Sequence, residues 1–116
     1  MQKNSNDNFE LSKKEIRKLL SIAYERELNT SLSELYQHFK NWENKNIDCH
    51  ELSQHIHKFY TGDSRGLFKL YNYCYNKKML IIKLLVKNIL IYDDLPENAK
   101  KNYKKTVEKY KNYFDE

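Results

Sequence analysis

Apolar residues recur along this chain at the three- and four-residue spacings of amphipathic helices, and the starts of those helices are marked by side chains that cap them. Leu11-Ser12-Lys13-Lys14-Glu15-Ile16 and Ile47-Asp48-Cys49-His50-Glu51-Leu52 each place a capping oxygen three residues before a Glu, between apolar neighbours. That is the capping box with a hydrophobic staple, in which side chains satisfy the unpaired amides of a first helical turn. The first predicted helix runs from about Lys13 to Glu27 and buries Ile16, Leu19, Leu20 and Ala23. A second begins near Thr30 or Ser31, where Ser31 and Glu34 suggest another box, and buries Leu32, Leu35, Tyr36, Phe39 and Trp42. The short link predicts that these two pack as a hairpin.

After the polar break at residues 43–46, the Asp48 cap opens a third helix with Leu52, Ile56 and Phe59 on one side, which Gly62 is expected to end. Asp63 or Ser64 caps a fourth, about 64–75, burying Leu67, Leu70, Tyr71 and Cys74. Met79 to Ile91 is apolar around most of its circumference and reads as the most central helix, with strand as the alternative for Met79 to Ile82 alone. Asp93-Asp94-Leu95-Pro96 stops it and starts the last helix, about 96–114, with an acid as cap and Pro96 in the first turn. Its stripe of Ala99, Tyr103, Val107, Tyr110 and Phe114 is either a lid on the core or a handle for a partner, a second copy included.

Two glycines and one proline leave little material for the turns of a sandwich, a barrel or a Gly-rich phosphate loop. The expected fold is therefore all-α, a compact bundle of five or six short helices. Residues 1–10, polar and unpatterned, read as a flexible tail, and 11–116 as one helical domain whose C-terminal helix is peripheral. Ten tyrosines supply much of the apolar bulk, and their hydroxyls require water or a partner. Two cysteines without a CxxC, and the absence of an apolar leader at Met1 to Asn8, point to reduced thiols in a cytoplasm. The longest apolar run is too short to cross a membrane.

The formal charge of +5 is concentrated: residues 58–92 hold Lys58, Arg65, Lys69, Lys77, Lys78, Lys83 and Lys87 against Asp63 alone. Such an excess attracts anions, whether nucleic acid, acidic protein or a membrane surface; a plain solvated surface looks the same. On the fourth helix Arg65, Lys69, Asn72 and Asn76 form one polar stripe beside Tyr73, and with Lys77 and Lys78 they make the candidate anion- or partner-binding surface.

Catalytic patterns fail on geometry. His50 and His55 are five apart, and at about 100° per residue they diverge on a helix, whereas the HExxH zinc motif needs four. Cys49 and the adjacent His50 point apart on a helix, so they do not form a nucleophile and base. No Arg is followed by a His after four to six residues, as in small all-helical ribonucleases of the HEPN class, and two glycines exclude Walker and Rossmann loops. No metal, cofactor or catalytic residue is assigned. The expectation is a non-enzymatic protein-binding or regulatory module, such as a component of a bacterial regulatory, toxin–antitoxin or anti-phage system, whose partner is another protein or a second copy. Nucleic-acid binding through 58–92 is the alternative, and an enzyme without a recognisable motif the third.

Overall fold

The computed structural model describes residues 11–113, which are mostly helical and include no strand. The tail 1–10 and Phe114 lie outside the described residues. Among the described residues the order is α1 (Lys13–Glu43), α2 (Cys49–Lys58), a π-helical segment (Phe59–Ser64), α3 (Arg65–Asn72), α4 (Lys77–Val86), a 3-10 turn (Tyr92–Asp94) and α5 (Glu97–Tyr110). Because α2, the π segment and α3 follow one another without a break, four uninterrupted helical stretches stand where the sequence pattern suggested five or six helices. None of them is long and apolar enough to cross a membrane. Cys49 and Cys74 are not joined in a disulfide.

The two clearest caps form as the sequence dictates. The Glu15 amide donates to Ser12 Oγ at 3.0 Å while the Ser12 amide donates back to Glu15 Oε1 at 2.8 Å, and the Glu51 amide donates to Asp48 Oδ1 at 2.8 Å. Two expected breaks do not. Residues 27–31 carry neither Gly nor Pro, so continuing the helix costs only a few tenths of a kcal/mol per residue. Thr30 turns its hydroxyl onto the Arg26 carbonyl at 3.1 Å instead of capping a new start. Gly62 does not close a helix either: no glycine has a positive φ. From Phe59 to Leu67 is eight residues, which at about 100° per residue would carry Leu67 off the packing face. The wide π turn absorbs the extra residue and keeps Leu52, Phe59, Leu67 and Tyr71 on one side.

Two more boundaries move for local reasons. The central helix ends at Val86 rather than Ile91, because Asn88 takes a left-handed φ of 64° and the amides of Ile89 and Leu90 turn back to the Leu84 carbonyl. Pro96 occupies the N-cap of α5, and Asp94 instead accepts from the Ile91 amide at 2.9 Å across the 3-10 turn.

The chain forms two units: the described residues of Met1–Ala23 with Tyr75–Glu116, and Tyr24–Cys74. In the first, α4 buries Leu80, Ile81, Ile82, Leu84 and Leu85, α1 contributes Leu19, Leu20 and Ala23, and α5 contributes Ala99, Tyr103 and Val107. Burial of side chains of this size contributes roughly 1.5–3 kcal/mol each. In the second, residues 24–43 of α1 turn back at residues 44–48 into α2 and α3. His38 stacks on His55 and Tyr24 on Tyr71, so contacts step outward from the turn in register and the hairpin is antiparallel.

Candidate functional site

The seam of the Tyr24–Cys74 hairpin mixes apolar and polar side chains. Leu52 and Tyr71 are its buried large side chains. Between them the His38 and His55 rings lie 3.5 Å apart and 7° from parallel, in a recess lined by polar Ser31 and Asp63 together with apolar Leu35 and Phe59. At the open end Tyr71 donates its hydroxyl to Glu27 and stacks on Tyr24 at 5.1 Å. Burial first, then that bond and the Glu27 charge, push the phenol well above its ordinary value.

The apolar residues that the pattern assigned to a core stand largely outside it. Leu32, Tyr36, Phe39 and Trp42 on α1, and Ile56 on α2, are exposed; so are Tyr60 in the π segment and Phe68 and Leu70 on α3. This corrects the expectation that Leu32, Tyr36, Phe39, Trp42 and Leu70 are buried. The physical reason is that the hairpin offers one neighbour to each helix, and that neighbour is already met by the row Tyr24, Ser31, Leu35 and His38. At about 100° per residue Leu32, Tyr36 and Phe39 fall within about 60° of one another and about a quarter-turn past that row. Ile56, Tyr60 and, once the π turn is allowed for, Phe68 are displaced from the Leu52–Tyr71 row in the same rotational sense. Since the helices are antiparallel, equal rotation from the seam brings both rows to the same side. Six large apolar side chains thus form one exposed face.

The basic residues singled out from sequence are divided. Arg65, Lys69, Asn72 and Tyr73 belong to the hairpin, where Lys69 is exposed in the last turn of α3 and the Asn72 amide donates to the Phe68 carbonyl at 2.8 Å. Asn76, Lys77 and Lys78 belong to the other unit, where Asn76 Oδ1 caps α4 by accepting from the Met79 amide at 3.1 Å. Charge follows the same division. Tyr24–Cys74 has six basic and seven acidic side chains, so −1 of the total of +5 lies there and +6 on the remaining residues. On α5, Tyr103 and Val107 are buried within their own unit, Tyr110 is half-buried, and Lys100 meets Glu97 at 3.1 Å and Asp93 at 3.6 Å.

Sequence reasoning missed the exposed face because a helical stripe looks the same whether its cover is in the chain or outside it. Among the described residues no group of three or more His, Cys, Asp or Glu could hold a metal ion. The stacked imidazoles hold their nitrogen lone pairs in parallel planes, where they do not converge on one ion. No protein-family model, curated protein or solved structure matches the chain.

Proposed function

We propose that this chain is a protein-binding module that acts by contact rather than by catalysis, and that its contact surface is the aromatic face of the Tyr24–Cys74 hairpin. The observation that carries this reading is the exposure of Leu32, Tyr36, Phe39, Ile56, Tyr60 and Phe68, which helical spacing puts on one side of the hairpin. A contiguous apolar patch of this extent on a monomer marks a contact site, and Tyr and Phe are the side chains that anchor such contacts. The mixed seam beneath it fits the same role, because stacked histidines and a Tyr–Glu bond help hold the two helices together while the six residues of the face are left for a partner. A regulatory part in a larger assembly is the role we assign.

The test is capture from host cells. Tagged protein is compared with a Tyr36→Asp, Phe39→Asp variant, both substituted sites being exposed. Loss of stoichiometric associations, other copies of the chain included, supports the reading. An unchanged set of associations, with the variant folded, overturns it.

Nucleic-acid binding is the second reading, favoured by the concentration of +6 outside the hairpin. It requires affinity that falls steeply with salt through counterion release.

A further inference from the structure

We infer that the hairpin face pairs with the same face of a second copy, through a two-fold axis running along the hairpin so that both turns lie at the same end. This rests on the protein-binding reading and names the partner.

The area is of the right size. Phe39 is 39% exposed and Tyr60 65%, with Leu32, Tyr36, Ile56 and Phe68 between them. Taking about 200 Å² for a whole aromatic side chain, each ring leaves about 100 Å² uncovered and the six together roughly 550 Å². A stable association needs about 800 Å² per partner, of which apolar atoms supply about 60%, so the six residues account for the core of such an interface and polar edges for the remainder.

The face is self-complementary in shape along this axis. Counting outward from the turn in the register set by His38 on His55, Tyr36 lies within one residue of the level of Ile56, and Leu32 within one residue of the level of Tyr60. A large ring on one helix therefore stands beside an aliphatic side chain on the other. Rotation about an axis parallel to the helices lays α1 of one copy over α2 and α3 of the second, ring onto aliphatic group. The result is four packed helices, the arrangement that covers every apolar stripe of two hairpins.

Charge selects the same axis. On the wheel Glu25 and Glu43 fall at the two ends of the α1 row, in line with Leu32 and Tyr36, whereas Arg65 falls on the α3 edge with Lys69 behind it. Pairing with the turns at one end brings Glu25 of each copy toward Arg65 and Lys69 of the other. Pairing with the turns at opposite ends would lay α1 on α1 and bring Glu25 against Glu43. Opposite charges at a rim favour the first arrangement and like charges disfavour the second.

The test is the solution mass of the full chain as a function of concentration, by sedimentation equilibrium, with circular dichroism to verify folding. The expected result is a two-chain species whose dissociation constant rises roughly a hundredfold or more in Tyr36→Glu. Glu25→Arg alone and Arg65→Glu alone each weaken it by roughly three- to tenfold, and the two together restore it. A monomer at every concentration overturns the inference, as does a two-chain species indifferent to Tyr36→Glu or one that the double charge exchange does not restore. A monomer whose Tyr36→Glu variant loses a different protein partner leaves the protein-binding reading standing and overturns only the second copy; loss of neither overturns both.

Discussion

The Tyr71 hydroxyl donates to the Glu27 carboxylate across the open end of a two-helix hairpin, joining residues 44 positions apart in the sequence. Burial of Tyr71 and the neighbouring carboxylate both favour the neutral phenol, so its pKa is raised above the ordinary value of 10.0. The folded state therefore holds this proton more tightly than the unfolded chain. The stability this contributes is present in full below about pH 10 and is lost as pH rises further. Alkaline denaturation is expected to weaken the native protein more steeply from about pH 9 to about pH 11 than it weakens Tyr71→Phe, which has no proton to lose there. Equal slopes would show that the bond does not couple the phenol to folding.

The histidine stack makes a second measurable contribution. Replacing His38 and His55 with Ala singly and together should give a coupling energy of about 0.5–1.5 kcal/mol, the range for paired rings beyond their buried area. His55→Phe, which keeps a flat ring, should cost less than His55→Ala. An additive double mutant would mean that the rings are adjacent without stabilising the seam.

The continuity of α1 is tested by proline. At Ser31 the substitution removes an interior helical hydrogen bond and clashes with the preceding turn, at a cost of about 3 kcal/mol. Were a separate helix to start near that position, proline would be tolerated there. Urea unfolding of Ser31→Pro distinguishes the two.

Glycine should help at the two positions that bend the chain backward. Lys45 has a φ of 67° and Asn88 of 64°. Lys45→Gly should stabilise the protein by about 1 kcal/mol, because a left-handed conformation costs a side-chain-bearing residue roughly that amount. Asn88→Gly should gain less, since Asn tolerates this region. A loss of thermal stability in Lys45→Gly would contradict the assigned turn.

What was legible in the sequence was local. Ser12 with Glu15 and Asp48 with Glu51 meet within one turn, and Leu80 to Leu85 are apolar on almost every side, so caps and the core helix follow from neighbouring residues alone. The missed features depend on distant ones. Whether Thr30 and Ser31 break a helix depends on what packs along it, and Gly62 sits in a π turn because Leu67 and Tyr71 must return to the seam begun by Leu52. Asn76, read as part of a basic stripe, spends Oδ1 on the first turn of α4. The candidate face was hidden because Leu32, Tyr36 and Phe39 carry the spacing of core residues. Only the folded hairpin reveals that they stay exposed.

The central claim is that this face meets protein. Its most direct test places a photoreactive phenylalanine analogue at Tyr36 and, in a separate variant, at the exposed Lys101 of α5, followed by illumination in host cells and mass spectrometry of the adducts. The account predicts a discrete protein adduct at position 36, to a second copy of the chain or to one other protein, and little at position 101. Nucleic-acid adducts at position 101 with no protein adduct at position 36 would contradict it.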